Sequence, residues 1–400
     1  MSKQNPDQFM RPVLDQVRHN PGVEIIRYGR RKPDILSLGV GEGDQTTPSF
    51  INEAMEKALM EGKTFYGPVL GRDELRQAIS EYYKNIYNLD IAANRAVVTA
   101  SGSSAVHIAL TSIIEKEDEV VAVTPLWKNL LGAVKLQQAV IREVPLDHKE
   151  QDDNERQWQL DLNKLFSNVT DKTRAIMINS PNNPSGWVIG HDQIEQIMDF
   201  ARQRNIWVIS DEVYSRLTYQ DDIYEGQRAP SFLDIARPDD RLYVINSFSK
   251  NWAMTGWRLG WLVAPEQAIE RLYDLVIYDN MGPSNFLQFG GIAALTQGEQ
   301  WLSRFKSHCR ENRDFLMQRF SEISRIKADI PQSTFYSFFQ IEGEPDCMAL
   351  ARRLIDDKSL SLGPGCSFGS QTAGYLRLCF AVGRPKLEEA LNRLEEAVGS

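Results

Sequence analysis

The sequence predicts an α/β protein, because strand-like and helix-like segments alternate along most of its length. From about residue 48 to residue 290, short runs of β-branched residues are separated by longer segments with helical periodicity. Strands separated by helices at this spacing form βαβ units, which build a mostly parallel sheet flanked by helices. Apolar residues make up 42% of the 400 residues, which is enough for the core of this sheet and of a second, smaller unit.

Each predicted element has its own local signal. Segment 191–204 is a clear helix, because Ile194, Ile197, Met198 and Ala201 recur at a spacing that puts them on one face. The predicted strands are short, rich in valine and isoleucine, and bounded by turn residues. They cover residues 96–99, 120–123, 141–144, 175–178, 207–209, 242–245 and 259–263.

Two changes of pattern mark candidate domain boundaries. The N-terminal residues up to about 45 carry their own turn signals, among them Asn20-Pro21-Gly22. After about residue 290 the pattern changes to a long helix with a break near Gly298, then to short strands and a closing helix from Lys386. We therefore expect a large domain over residues 48–290 and a smaller α+β domain built from both chain ends, residues 1–47 and 291–400.

Composition and charge exclude several classes of protein. The 54 acidic and 45 basic residues give a net charge of −9, which argues against binding to nucleic acid. No apolar run approaches the roughly 20 residues of a membrane span, and the first residues lack the pattern of a secretion signal. The 4 cysteines have no metal-binding spacing, so we expect reduced thiols, no metal site and a cytoplasmic protein. These properties favour an enzyme or a small-molecule binder.

The residues that follow each strand are candidates for a site, because ligands of open α/β sheets bind beyond the carboxyl ends of the strands. Trp127 follows strand 120–123, where it could stack on a planar ring or simply lie in the core. A helix opens after strand 96–99, and its small residues and free N–H groups suit an anion, although serine there is more often only a cap. The residues at that helix start are Ser101, Gly102, Ser103 and Ser104.

Two further strand ends carry polar groups. Asn183 lies in a turn rich in proline and asparagine, where its amide could be aimed at a ligand. Asp211 and Tyr214 follow strand 207–209. A carboxylate at the end of a buried strand either caps a helix or pairs with a buried cation.

Ser247 and Lys250 follow strand 242–245, and Arg258 comes eight residues after the lysine. Most lysines lie in solvent, but one placed behind a buried strand is a candidate nucleophile with a lowered pKa. Together the strand ends supply an anion site, an aromatic ring, an amide, a carboxylate, a phenol, an amine and a guanidinium. This inventory suits a phosphorylated, planar aldehyde with a pyridinium nitrogen, held by the lysine as a Schiff base.

The same residues stand in motifs that resemble those of the fold-type I pyridoxal-phosphate enzymes, in particular class I and II aminotransferases of the aspartate aminotransferase type. The Ser-x-Ser-Lys element at 247–250 and the Gly-x-Arg-x-Gly element at 256–260 are the most specific. The resemblance implies an aspartate aminotransferase-like fold, pyridoxal 5'-phosphate as cofactor and a homodimer. The other matching segments, in the expected order, are 38–44, 66–68, 101–104, 183–186, 211–214, 364–369 and 375–378.

The resemblance also implies a role for each residue at the cofactor. Lys250 forms the Schiff base and then moves a proton at the substrate Cα, while Asp211 pairs with the pyridine N–H. Tyr214 and Asn183 bind the ring oxygen, and Trp127 stacks on the ring. The phosphate is assigned to Ser101, Gly102, Ser103, Ser104, Ser247, Arg258 and, from the other subunit, Tyr66.

For the substrate, the resemblance assigns the α-carboxylate to Arg377, helped by Asn183 and the backbone of Gly41. Lys128 and Asn129 could face the substrate side chain, but no residue is identified as the partner of a distal carboxylate. The amino acid therefore stays open at this point.

We expect transamination of an α-amino acid with a 2-oxo acid, 2-oxoglutarate being the expected acceptor, by a ping-pong mechanism. A C–S β-lyase or a cyclopropane-forming synthase of the same fold is the alternative, since such enzymes share Lys250 and Arg377. A more distant alternative is a ligand sensor with this fold and no catalysis, which is disfavoured because every cofactor position holds a competent residue.

Overall fold

The computed structural model describes residues 10–17, 19–150 and 156–399. Its α-helices are α1 (Pro21–Gly29), α2 (Ser49–Met60), α3 (Asp73–Tyr82), α4 (Gly102–Ile113), α5 (Lys128–Leu136), α6 (Leu162–Ser167), α7 (His191–Arg204), α8 (Phe248–Asn251), α9 (Ile269–Asp279), α10 (Leu287–Gln297), α11 (Glu299–Ser321), α12 (Cys347–Lys358) and α13 (Arg384–Val398). Its strands are β1 (Leu36–Ser37), β2 (Ala96–Thr99), β3 (Glu119–Thr124), β4 (Val140–Pro145), β5 (Asp147–Glu150), β6 (Arg156–Gln159), β7 (Thr173–Asn179), β8 (Trp207–Asp211), β9 (Leu242–Ser247), β10 (Gly260–Val263), β11 (Ile326–Ala328), β12 (Tyr336–Ile341), β13 (Leu360–Ser361), β14 (Gly363–Pro364) and β15 (Tyr375–Cys379).

The central sheet contains the seven strands predicted from the sequence, in the order β2-β10-β9-β8-β7-β3-β4. Neighbouring strands are parallel, except that β10 runs antiparallel to both β2 and β9. This strand is reversed because the chain returns from β9 through the one-turn helix α8, without the crossover helix that a parallel return needs. The prediction of an α/β fold with a mostly parallel sheet is confirmed.

Each face of the central sheet has its own core, because side chains alternate along the strands. Val121 and Val123 of β3 pack on the side of α3 and α7, whereas Val120 and Ala122 pack on the side of α4, α5 and α9. All of β3 is buried, as expected for a parallel strand covered on both sides. The helix predicted at 191–204 is α7, and it buries the four predicted apolar residues.

A second core draws on both ends of the chain. The antiparallel sheet β11-β12-β15-β14 packs with α11, α12 and α13, and Ile25 of α1 joins them. Strands β1 and β13 form a short parallel pair that also links the two chain ends, while β5 and β6 form a separate antiparallel pair. In the described part of the chain, no helix is both long and apolar enough to cross a membrane.

The predicted helix break near Gly298 is confirmed, since α10 ends at Gln297 and α11 begins at Glu299. The closing helix α13 begins at Arg384, two residues before its predicted start. The domain division at 47/48 and 290/291 stays a prediction: residue 290 lies inside α10, which packs against α2 and α3. Residues 1–9, 18 and 400 of the predicted small domain lie outside the described residues.

Candidate active site

A cavity of about 330 Å³ lies where the carboxyl edge of the central sheet meets the second sheet. Asn179, Asp211 and Ser247, the last residues of β7, β8 and β9, line it from one side, because parallel strands end at the same edge. Tyr336 of β12 and Arg377 of β15 line it from the other side. Eleven of the residues predicted from the sequence line this cavity: Gly41, Gly102, Ser103, Trp127, Asn183, Asp211, Tyr214, Ser247, Lys250, Arg258 and Arg377.

Lys250 lies in the one-turn helix α8, directly behind β9. Its Nζ donates a hydrogen bond of 2.5 Å to the backbone oxygen of Gly41. Burial, and then the positive charge of Arg377, lower the pKa of the Lys250 amine to about 8. Near neutral pH this amine therefore loses its proton far more easily than an ordinary lysine, as a nucleophile requires.

Asp211 is the last residue of β8 and is 4% exposed. Its Oδ1 accepts a hydrogen bond of 3.3 Å from the backbone N–H of Val213. Burial raises the pKa of Asp211 to about 7, although the Val213 N–H and the charge of Lys250 act in the opposite direction. The carboxyl group thus lacks enough positive charge around it to ionise as readily as an ordinary aspartate.

Arg377 is 5% exposed and holds a fixed orientation in the cavity wall. Its Nη1 donates to Asn183 Oδ1 at 2.7 Å, and its Nη2 donates to the backbone oxygen of Gly39 at 2.7 Å. The guanidinium lies over the rings of Tyr336 and Phe368, at 4.3 and 4.9 Å from their centroids. Two hydrogen bonds and two aromatic faces therefore position one buried cation next to the cavity.

The start of α4 forms the corner of the cavity suited to an anion. Ser101 caps this helix, its hydroxyl accepting from the Ser104 N–H at 3.0 Å. Gly102 has no side chain, so it lines the cavity with its backbone. Strand β10 lies close to this helix start, since a Cβ added at Gly260 would be only 2.6 Å from the Gly102 nitrogen. Arg258 also lines the cavity and, with φ 54°, adopts a left-handed conformation. The free N–H groups of the helix and this guanidinium together suit a phosphate.

Three predicted residues do not line the cavity of the single chain. Ser101 and Ser104 are not among the residues that line it, and they form the cap of α4. Tyr66 is 86% exposed. Of the two residues beside Trp127, Asn129 lines the cavity, whereas Lys128 extends away to the backbone oxygen of His19 at 3.4 Å.

Sequence reasoning missed Asn179 and Tyr336, whose side chains line the cavity and contact the predicted groups. Asn179 donates through Nδ2 to the Asp211 backbone oxygen at 3.1 Å and accepts from the Asn183 N–H at 2.8 Å. Tyr336 places its hydroxyl 2.7 Å from that of Tyr214. Asn179 could have been found as the polar residue that ends β7, one position beyond the predicted strand, but Tyr336 has no comparable signal because it belongs to the other sheet.

The chain matches the family model described as aminotransferase class I and II over residues 33–394. It is 34% identical to an aspartate aminotransferase from Pyrococcus horikoshii over 94% of this chain and 93% of the relative. It is 31% identical to aromatic-amino-acid aminotransferase 2 from Thermococcus litoralis over 91% of this chain and 92% of the relative. The crystal structure of an aspartate aminotransferase from Thermotoga maritima is similar with a TM-score of 0.88 and 28% identity, covering 98% of this chain and 100% of that chain.

Proposed function

Because the chain belongs to the class I and II aminotransferases, a family of fold-type I pyridoxal-phosphate enzymes, we propose that it exchanges an amino group between an α-amino acid and a 2-oxo acid by a ping-pong mechanism. One observation carries this proposal: a half-buried amine, a buried carboxyl group and two guanidinium groups line the same cavity. They belong to Lys250, Asp211, Arg258 and Arg377.

Pyridoxal 5'-phosphate fits the donor set of this cavity. The start of α4 and Arg258 offer N–H donors to a phosphate, and Asp211 offers a buried carboxyl group whose raised pKa calls for a cationic partner such as a pyridinium nitrogen. When bound, this cofactor supplies an aldehyde that captures an amino group and a ring that withdraws electrons from the substrate Cα. We assign the phosphate to Ser247, Arg258 and the start of α4, and the ring face to Trp127.

We propose that Lys250 acts twice. With a pKa of about 8, roughly half of its amines are neutral at pH 8, so it can bind the cofactor aldehyde. When it is not bound to the cofactor, the same neutral amine would take the proton from the substrate Cα and later return it. Gly41 supports this role, because its backbone oxygen holds Nζ inside the cavity.

Arg377 is proposed to bind the substrate α-carboxylate, with Asn183 and the Gly41 backbone beside it. Its guanidinium is buried and already oriented, and its Nε has no partner among the described residues. Carboxylate binding by a fixed, bidentate donor orients the bond that breaks at Cα, which contributes to the rate by fixing geometry. We further propose that Tyr214 and Asn183 bind the ring oxygen of the cofactor and that Asp211 pairs with its ring nitrogen.

We also propose a cytoplasmic homodimer in which Tyr66 reaches the phosphate corner of the other subunit. Tyr66 and its neighbour Phe65 are 86% and 81% exposed, an unusual pair of aromatic rings to leave in water. Ser103 and Arg258 at the phosphate corner are exposed as well, so a single chain leaves this corner open.

The amino acid half-reaction tests the proposed function. The purified holoenzyme receives one amino acid at a time and no oxo acid; a transaminase loses the visible absorption band of its cofactor and releases one equivalent of the matching oxo acid. Adding 2-oxoglutarate, the proposed acceptor, then restores the band. Continuous release of pyruvate and ammonia without an acceptor would instead identify the C–S lyase, and absence of any cofactor-derived band would refute the proposal.

A further inference from the structure

Tyr336 forms a contact that the roles assigned above do not use. It is the first residue of β12, and its hydroxyl lies 2.7 Å from the hydroxyl of Tyr214. Both side chains are buried, at 0% and 2% exposure. Among residues 10–17, 19–150 and 156–399, neither hydroxyl has a second hydrogen-bond partner, so the two phenols share one hydrogen bond.

We propose that Tyr336 is a positioning residue, which donates its hydroxyl proton to Tyr214 Oη and so leaves the Tyr214 proton for a ligand in the cavity. This inference rests on the proposed function, in which Tyr214 donates to the ring oxygen of the cofactor. A hydroxyl oxygen that accepts one hydrogen bond becomes a better donor in the next, so the pair acts as a short chain directed at the cavity.

The position of Arg377 decides which phenol donates. Its guanidinium lies 4.3 Å from the centroid of the Tyr336 ring. Burial raises the pKa of both hydroxyls, and the charge of Arg377 opposes that rise at both. The pKa of Tyr214 is raised further by its neighbour Tyr336 and by the Asp211 carboxyl group. The pKa of Tyr336 is raised further by Cys379 and Glu42. Because the guanidinium lies over the ring of Tyr336, it withdraws electron density from that phenol and makes the Tyr336 hydroxyl the better donor of the pair.

The surroundings leave room for the Tyr336 hydroxyl only because residue 41 is a glycine. A Cβ added at Gly41 would lie 2.8 Å from Tyr336 Oη and 3.6 Å from Arg377 Nη2. Tyr336 therefore lies beside Gly41, whose backbone oxygen binds Lys250 Nζ. It also contacts Arg377, proposed to bind the substrate carboxylate, and Tyr214, proposed to bind the ring oxygen. Its hydroxyl acts through Tyr214, while its ring supports Arg377.

The test uses Tyr336→Phe in the holoenzyme, which keeps the ring under Arg377 and removes only the hydroxyl. The readout is the apparent pKa of the visible absorption band of the bound cofactor, followed by pH titration without substrate. A weaker donor at the ring oxygen should raise this pKa by about 0.3–1 unit, since one neutral hydrogen bond contributes about 1 kcal/mol. The KM for amino acids should stay within about twofold, because the ring under Arg377 is retained.

A double-mutant cycle separates positioning from mere packing. Tyr214→Phe should raise the pKa more than Tyr336→Phe does, and adding Tyr336→Phe to Tyr214→Phe should have no further effect. Tyr219→Phe is the matched control, because Tyr219 is also buried and its hydroxyl binds the backbone oxygen of Thr334 instead of the cavity; it should leave the band unchanged.

The outcomes distinguish the two proposals. If Tyr214→Phe shifts the pKa of the cofactor band but Tyr336→Phe does not, the role of Tyr336 is overturned and the proposed function stays intact. A shift by Tyr336→Phe that persists in the Tyr214→Phe background would also overturn it, because the hydroxyl would then act without Tyr214. Absence of a cofactor band in the wild-type protein would refute the proposed function, and this inference with it.

Discussion

Replacing Asp211 by asparagine should stabilise the cofactor-free protein while it damages the holoenzyme. Burial raises the pKa of Asp211 from 3.8 to about 7, so between these pH values the folded chain holds a proton that the unfolded chain has lost. The free energy of unfolding therefore falls as the pH rises from about 4 to 7. About three pKa units correspond to about 4 kcal/mol, an upper value because water partly screens the charge.

At pH 8 we therefore expect Asp211→Asn to raise the free energy of unfolding of the cofactor-free protein by about 2–4 kcal/mol. The gain should shrink as the pH is lowered from 7 towards 4, where wild-type Asp211 is protonated as well. With pyridoxal phosphate bound, the sign should reverse, because the carboxylate then pairs with a cation and the variant loses that pair. Urea unfolding followed by tryptophan fluorescence, at fixed protein concentration with and without cofactor, measures both effects.

Glu212→Gln is the matched control for this experiment. Glu212 is 1% exposed, and burial raises its pKa to about 7 as well, but its Oε1 accepts from Ser210 Oγ at 2.9 Å and from the Phe232 N–H at 3.1 Å. Because Glu212 does not line the cavity, the effect of its replacement should be the same with and without cofactor. If Asp211→Asn destabilised the cofactor-free protein at pH 8, or responded to cofactor no differently from Glu212→Gln, the assignment of Asp211 to the ring nitrogen would be wrong.

Three further predictions concern single residues. Lys250→Ala should abolish the amino acid half-reaction in stopped-flow absorbance while equilibrium dialysis still detects cofactor binding through the phosphate; a half-reaction at the wild-type rate would refute the nucleophile assignment. Arg377→Ala should raise the KM for amino acids about 100-fold, the effect of losing about 3 kcal/mol of charge-assisted binding, and an unchanged KM would place the carboxylate elsewhere. Gly298→Ala should lower the free energy of unfolding by about 1–3 kcal/mol in urea titrations, because its Cβ would lie 2.4 Å from Trp252 Nε1. Gly132→Ala, whose Cβ would meet only Val17 at 4.0 Å among the described residues, should leave the free energy of unfolding unchanged, and equal losses in the two variants would contradict the steric explanation.

The site residues that directly follow the strands of the central sheet could be predicted from the sequence. Continuous apolar runs predict buried parallel strands, and the ends of such strands must lie together whatever the loops between them do. For this reason Asn183, Asp211 and Lys250, which are far apart in sequence, could be predicted to share one edge, and all three line one cavity. The reversed strand β10 was not predictable in this way, because an apolar strand has the same pattern in either direction.

Tyr336 shows why the remainder of the site was not predictable. Its strand is buried and apolar like any core strand, and the residue itself reads as an ordinary aromatic core position. Its contact with Tyr214 depends on how the second sheet packs against the central one, and local periodicity carries no information about that packing. Arg377 lies in the same sheet and was found only through a family motif, so the second sheet contributes two cavity residues that the pattern of strands alone would have missed.

The charges in the cavity bear on the open question of the substrate. The whole chain carries a net charge of −9. Among the described residues, however, the cavity is lined by three cations, Lys250, Arg258 and Arg377, and by one acidic residue, Asp211. In the proposed mechanism each cation already has a partner: the reacting aldehyde, the phosphate and the α-carboxylate. A substrate with a second carboxylate therefore needs a cation from outside this set, which in the proposed homodimer could come from the other copy of the chain. A substrate with a neutral or aromatic side chain needs no such group, so comparing kcat/KM for aspartate and for phenylalanine asks whether that additional cation exists.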